Sequence, residues 1–406
     1  MDTAQARETY INRHIRPIGP YVAIEIDLDG EQASASFLSI YESRAHYRDG
    51  YGCVLDHGQP PVKLDPRPLE ESTPIDLNID QQQLYFDTAA LASALDRAFT
   101  EPSADAPRQT MAVVVLHQGH LVAEKYAPGI SKNTPLPGFS MAKSMTGTMV
   151  GLLVQHKDLD VGDVVSSAGN LTRAGATYDH LLRMTSGIGI EETGSGRDSN
   201  SIMLTQRYDA FEYAIERPLH DSPGNVYAYN GGNFIVLAKK FIDIAGDGRP
   251  AKAYDFLYEN LLRPMALDTV VLETDGNGTF LGSSFMLASA LDWAKLGQLY
   301  LQDGMWDGKR LLPEGWVKYV STKTKQSGAR DYGASFWVAV SGGRDSRHPH
   351  LPQPPDDALF MHGMMNQVVY IFPRQKLVIV RLGATRRYLE SGEWSLFRDV
   401  LASLKL

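Results

Sequence analysis

Apolar and polar residues alternate from Tyr21 to Leu28 (YVAIEIDL), and that spacing predicts a half-buried strand. Between Asp87 and Phe99 the period changes. Leu91, Leu95 and Phe99 recur at i, i+4 and i+8, which predicts a helix. Met111 to Leu116 and Leu121 to Tyr126 are short apolar runs on either side of Gln118-Gly119, the signature of a hairpin. From Ser140 to Gln155 the chain is apolar nearly all round at helical spacing, so a buried helix is expected. Residues 160 to 275 hold several helical patterns and few strand-like runs. Gly333 to Ser341, Gln367 to Phe372 and Leu377 to Leu382 read as strands, with a turn at Pro373-Arg374, and Trp394 to Leu404 reads as a last helix. Residues 57 to 76 are polar and proline-rich, as a surface connection would be. The strands thus lie at both ends of the chain with a helical block between, and there is no internal repeat or low-complexity tract.

The chain has 406 residues, 43% apolar and 21% charged, the balance of a globular protein with a substantial core. Lys plus Arg is 39 and Asp plus Glu is 48, so the formal net charge is −9. That sign, and the lack of any run of four basic residues, argues against nucleic acid or an anionic membrane surface as partner. No apolar run approaches the roughly 20 residues that a membrane span needs. Cys53 is the single cysteine, which excludes an intramolecular disulfide and a cysteine-based zinc site. It is expected to be a small buried hydrophobe. The N-terminus (MDTAQ) lacks the apolar core of a signal peptide, so a cytoplasmic location is expected, or a periplasmic one if a leader was removed. His117 and His120 flank the hairpin turn and are expected to be solvated. His348 and His350 sit in a proline-rich stretch. The first pair has no cysteine or carboxylate at ligand spacing and the second, the better cluster, lies in a loop, so no metal or cofactor is expected.

Three segments carry chemistry. Ser140-Met141-Ala142-Lys143 is the one S-x-x-K in the chain, and Pro135, Pro137 and Gly138 before it allow a helix to start only there. Residues i and i+3 share a helix face, so hydroxyl and amine can meet. A lysine buried in so apolar a helix loses part of its preference for charge and can accept the serine proton. The plain alternative is an N-cap serine beside a solvated lysine. The second segment, Pro223 to Asn233 (PGNVYAYNGGN), reads either as a loop packed on the core or as one that presents a Tyr hydroxyl. A tyrosine held near an ammonium is expected to ionise more easily and relay a proton. The third, Met361 to Gln367 (MHGMMNQ), runs into a strand, and its Gly363 permits close backbone approach. A backbone N–H beside Gly363 can complete an oxyanion hole with the N–H of Ser140.

In this order the three segments resemble the penicillin-recognising serine hydrolases. Within them, the chain looks most like the class C β-lactamase-like esterases and amidases of the 6-aminohexanoate-dimer hydrolase group. Residues 138 to 144 (GFSMAKS), 180 to 187 (HLLRMTSG), 291 to 297 (LDWAKLG) and 303 to 316 (DGMWDGKRLLPEGW) carry the likeness, which spans roughly residues 100 to 405. The resemblance implies an α+β, β-lactamase/transpeptidase-like fold: a mainly antiparallel sheet flanked by helices, plus a mostly helical domain. It divides the chain into an N-terminal extension (1–100), a sheet domain (101–135 and 325–406) and a helical domain (136–324), with the active site at the junction. It implies Ser140 as acylated nucleophile, Lys143 as its proton acceptor and Tyr229 as proton relay, with the N–H groups of Ser140 and Met364 as oxyanion hole. Where the family has Y-x-N, this chain has Gly231 in the third place, so Asn230 or Asn233 is expected to substitute. Where the family has K-T-G or H-x-G, it has Met361-His362-Gly363. No lysine stands there to hold a penicillin or D-Ala carboxylate, although His362 or Arg386 and Arg387 can supply a cation.

The expectation is therefore a serine hydrolase acting on a small ester or amide, with oligomeric state left open. A D-Ala-type peptidase or weak β-lactamase, and an inactive family member acting as a binding protein, are the alternatives. A Ser–His–Asp enzyme on an α/β-hydrolase fold is disfavoured, because the G-x-S-x-G elbow and the strand–helix alternation are missing.

Overall fold

The computed structural model of the chain describes residues 19–65, 76–103, 107–339, 354–385 and 392–405. Arg386, Arg387, His348 and His350 lie outside the described residues. Near the N-terminus four antiparallel strands form one sheet in sequence order: β1 (Val22–Asp27), β2 (Gln32–Phe37), β3 (Tyr41–Arg48) and β4 (Gly52–Leu55). In β1 the alternation is realised, with Val22, Ile24 and Ile26 half-buried and Ala23, Glu25 and Asp27 exposed.

The expected hairpin is β5 (Thr110–His117) and β6 (His120–Tyr126). Short pairs follow: β7 (Leu136–Pro137), β8 (Val271–Leu272) and β9 (Met286–Ala288) in one small sheet, β10 (Met305–Trp306) and β11 (Lys309–Arg310) in another. The C-terminal strands are β12 (Trp337–Val338), β13 (Leu359–Gly363), β14 (Gln367–Phe372) and β15 (Leu377–Gly383). The central sheet has the order β12-β13-β14-β15-β5-β6, antiparallel throughout. The hairpin ahead of the helical block and the C-terminal strands thus share one sheet, and β1 to β4 form another. β14 and β15 are buried along their whole length, because both faces are covered. The Ala290–Leu301 helix lies on one face with Val369, Ile371, Val378 and Val380. The Thr88–Phe99 and Glu393–Ala402 helices cover the other, over Val113, Tyr370 and Phe372. Asp87 caps the first of these, its carboxylate accepting from the Ala90 N–H at 3.0 Å.

The middle of the chain is helical. The Ala142–Gln155 helix is buried on every side from Ala142 to Leu153, and it packs against the Gly232–Gly246 helix. Its start differs from the expected Ser140: the chain enters through a 3-10 turn over Phe139–Met141, with Phe139 at φ 47°. Of the strand expected over Gly333 to Ser341, Val340 and Ser341 lie outside the described residues, and Trp337 and Val338 pair as β12. The Gly333 N–H donates to the Phe336 carbonyl and Ser335 sits at φ 63°, a tight turn in place of extended backbone.

Two further expectations are corrected. Cys53 is exposed, since the period of β4 turns Gly52 and Val54 inward and the thiol outward. His117 is buried, packed 4.7 Å from the Tyr85 ring and 5.3 Å from the Phe86 ring, and burial lowers its pKa.

The N-terminal sheet docks on the helical part through few polar contacts. Tyr51 is fully buried edge-on to Tyr254, the Arg48 guanidinium donates to Thr274 Oγ1 at 2.9 Å, and the Cys53 N–H donates to Glu273 at 2.8 Å. Burial pushes the Glu273 carboxyl up to about 7, against the opposing pull of that N–H and of Arg48. A carboxyl raised by folding binds its proton more tightly in the native state, so its contribution is present below the unfolded value and lost as pH rises towards about 7. Glu273→Gln, which keeps the acceptor and removes the charge, is expected to raise the melting temperature relative to wild type at pH 8 and to gain less at pH 4.5. Thermal unfolding at both values checks this, and an equal shift at the two pH values would contradict it.

Candidate active site

Ser140 occupies the 3-10 turn ahead of the Ala142–Gln155 helix, and Lys143 stands one turn on, with 1% of its surface exposed. The turn needs Gly138: a Cβ there would lie 2.2 Å from the Trp293 ring. The Lys143 amine donates to Ser140 Oγ at 3.0 Å and to the Ser283 carbonyl at 3.0 Å, and it meets Glu192 Oε1 at 3.3 Å. These contacts account for the three protons of an ammonium. Burial lowers the Lys143 pKa, and the Glu192 carboxylate opposes the shift.

Tyr229 joins them. Its ring lies 4.8 Å from the Lys143 amine, and its phenol is near enough to Ser140 for that side chain to lower its pKa in part. The ring stacks on Trp337 at 5.5 Å and meets Tyr332 edge-on at 6.0 Å. The expectation that the neighbouring lysine eases ionisation of this tyrosine is corrected. Burial, and next the Glu192 charge, push the Tyr229 pKa well above the ordinary phenol value, so the group is a neutral O–H at neutral pH. Tyr227, the other member of the aromatic pair, has its ring 5.7 Å from that of Tyr332.

The third segment reaches the same place through its backbone. Gly363 ends β13, and a Cβ on it would lie 2.1 Å from the Gly138 carbonyl. Only glycine lets the strand end come this close to the turn that carries Ser140. Met364, next in line, is 57% exposed. His362 points elsewhere: its Nε2 is 3.8 Å from Glu393, the buried first residue of the C-terminal helix on the opposite sheet face.

Asn230 and Asn233 are buried beside Tyr229, but their carboxamides serve the start of the Gly232–Gly246 helix. Asn230 Nδ2 donates to the Ala228 carbonyl at 2.9 Å, and Asn233 Nδ2 donates to Asn230 Oδ1 at 3.1 Å. Asn233 Oδ1 in turn accepts from the Ser186 hydroxyl. Neither occupies the space in front of Gly231. Asn200 does: its Oδ1 accepts the Gly231 N–H at 3.0 Å and lies 2.3 Å from where a Cβ on Gly231 would be. Glu192, Ser283, Asn200, Tyr332 and Trp337 are thus the neighbours that sequence reasoning missed. Glu192 and Asn200 stand in loop and short-helix sequence with no spacing relation to S-x-x-K. The aromatic density of Tyr332 to Trp337 was the one available signal.

The residues now placed can be set beside known proteins. The family model described as Beta-lactamase matches residues 95–393. A 6-aminohexanoate-dimer hydrolase of Paenarthrobacter ureafaciens is 24% identical over 291 residues, which is 68% of this chain and 72% of that protein. Among solved structures, a Bacillus anthracis protein described provisionally as a 6-aminohexanoate-dimer hydrolase superposes with a TM-score of 0.62 at 18% identity, covering 99% of this chain and 94% of its own. A D-stereospecific amidohydrolase from Streptomyces sp. gives 0.55 at 17% identity over 76% of this chain and 98% of its own. At these identities the structural likenesses show the fold, an α+β arrangement of antiparallel sheet and flanking helices.

The electrostatics of Lys143 make a direct prediction. Glu192 raises the pKa of the amine that burial lowers. Glu192→Gln is therefore expected to move the Lys143 titration to lower pH. NMR titration of labelled lysine, assigned by Lys143→Arg, checks this, and an unchanged or higher midpoint would contradict it.

Proposed function

We propose that this chain, which belongs to the Beta-lactamase family and with it to the penicillin-recognising serine hydrolases, cleaves a small ester or amide through a covalent acyl-Ser140 intermediate. The observation that carries the reading is the 3.0 Å contact between the Lys143 amine and Ser140 Oγ, made by a lysine whose hold on its proton burial weakens. A neutral amine at that distance can take the hydroxyl proton as Ser140 Oγ attacks the acyl carbon. The tetrahedral oxyanion then lies between the N–H groups of Ser140 and Met364, which the missing side chain of Gly363 allows to converge. Tyr229 stays a neutral phenol beside Ser140 and gives its proton to the departing alcohol or amine. The lysine ammonium returns a proton to the phenol. In the second half water loses a proton by the same route, attacks the acyl carbon, and Ser140 leaves as the free hydroxyl.

The site lies where the sheet part of the chain (101–135 and 325–406) meets its helical part (136–324). Two features support an uncharged acyl group. Met361-His362-Gly363 offers no lysine, and the His362 imidazole is drawn towards Glu393, away from Ser140. The stacked, half-buried rings of Tyr229 and Trp337 suit apolar substrate atoms. The relatives described as a dimer hydrolase and an amidohydrolase support amides alongside esters. Among the described residues no helix is long and apolar enough to cross a membrane.

With p-nitrophenyl butyrate as substrate, Ser140→Ala, Lys143→Ala and Tyr229→Phe are each expected to lower kcat by about 10³-fold or more, and the triple variant little further, because the three act as one unit. Additive losses would contradict that unit, and full turnover by Ser140→Ala would contradict the reading itself.

A further inference from the structure

The segment that ends at the proposed oxyanion hole has an unusual backbone. Met365 and Asn366, neither of them glycine, are consecutive left-handed residues at φ 60° and 63°. L-residues visit that region singly and at a cost, so two in a row persist only where surrounding groups hold them. Two buried side chains do so. Gln367 Nε2 donates to the Met364 carbonyl at 3.2 Å, the Met365 carbonyl at 3.3 Å and the Gly383 carbonyl, while its Oε1 accepts the Gly383 N–H at 2.9 Å. Arg381, fully buried in β15, donates through Nη1 to the Asn366 carbonyl at 2.9 Å and the Met365 carbonyl at 3.3 Å. Its Nη2 is anchored on the Arg108 carbonyl at 2.7 Å, on Thr110 Oγ1 at 3.2 Å and on Thr385 Oγ1.

A guanidinium wholly removed from water is expensive unless its donors are satisfied. Here carbonyl and hydroxyl oxygens satisfy both Nη groups, Nε has no hydrogen-bond partner, and no carboxylate is among the partners in hydrogen bonding. Three consecutive carbonyls, those of Met364, Met365 and Asn366, therefore point into a cradle made by one arginine and one glutamine. Fixing the carbonyl of Met364 and the peptide that follows it also fixes the orientation of Met364 itself, and with it the N–H on its other side.

We propose that Arg381 and Gln367 are positioning residues that hold the Met364 N–H in line with the Ser140 N–H, so that the strained turn from Met364 to Asn366 forms a rigid half of the oxyanion hole. The inference rests on the acyl-enzyme reading given above. Neither side chain touches substrate. Their effect is on how well a charge on the acyl oxygen is met, which is a transition-state effect and belongs in kcat.

The test uses Gln367→Met, Arg381→Lys and the milder Thr385→Val, which removes one anchor of Arg381. For each, the fluorophosphonate-reactive fraction gives the number of competent sites. Then kcat per site and KM are measured for a p-nitrophenyl ester and its thionoester, whose sulfur accepts hydrogen bonds poorly. A merely structural role would lower the reactive fraction and leave kcat per site alone. The expected result for Gln367→Met is a fall in kcat per site of about 10- to 100-fold, a KM within about threefold of wild type, and a shrunken preference for oxygen over sulfur. Arg381→Lys should follow the same pattern, and Thr385→Val should lose about threefold or more in kcat per site. If neither Gln367→Met nor Arg381→Lys folds, Thr385→Val decides. Values of kcat per site within about twofold of wild type, with the oxygen–sulfur preference intact, would overturn the proposal. Failure of the underlying reading looks different: wild type would take no fluorophosphonate, or Ser140→Ala would keep turning over.

Discussion

Everything at the site depends on keeping one amine out of water. Removing an ammonium from solvent carries an effective penalty of several kcal/mol after relaxation. Lys143 meets it partly by losing preference for its proton and partly through Glu192 and the Ser283 carbonyl. The two responses oppose each other. Desolvation weakens the amine's hold on its proton, and the carboxylate restrains that tendency. The pair therefore holds an amine of lowered pKa within reach of a serine hydroxyl, with a carboxylate beside it. The same Glu192 raises the phenol of Tyr229, so one carboxylate helps keep the lysine ready to be charged and the tyrosine neutral.

Such burial constrains the rest of the molecule. A helix that carries a dry lysine needs neighbours on every side, and Ala142–Gln155 is buried all round. Glycines let those neighbours approach. A Cβ on Gly147 would lie 2.0 Å from Ser335 Oγ, one on Gly151 2.8 Å from the Trp316 indole, and one on Gly282 2.3 Å from Thr146 Oγ1. The helix is thus wedged between the turn before β12, the segment around Trp316 and the loop before β9. Gly138 and Gly363 repeat the device at Ser140, where ring and carbonyl occupy the volume a side chain would take.

Much of this could be seen in the chain before folding. The all-round apolar character of Ser140 to Gln155 already implied a buried Lys143, and short apolar runs on both sides of the helical block marked strands there, while their union in one sheet was implied only by the family resemblance. Residues whose roles depend on contacts remote in sequence stayed hidden. Glu192 is 49 positions from Lys143, and Asn200 fills the space before Gly231 from a helix 31 positions away. No periodicity links them. Cys53 was misjudged because residue type was weighed above strand phase. The Tyr229 phenol was misjudged because one attractive neighbour was counted without its burial or the nearby carboxylate. His362, a site candidate by motif, sits where the pleat of β13 turns its imidazole towards Glu393.

The central claim is that Ser140 carries the acyl group because Lys143 beside it accepts the proton. Intact-mass spectrometry after exposure to a fluorophosphonate tests this most directly, with wild type beside Ser140→Ala and peptide mapping of the adduct. The account predicts one adduct per chain, mapped to the peptide containing Ser140 and absent from Ser140→Ala. An adduct of unchanged yield in Ser140→Ala, or none in the wild type, would contradict it.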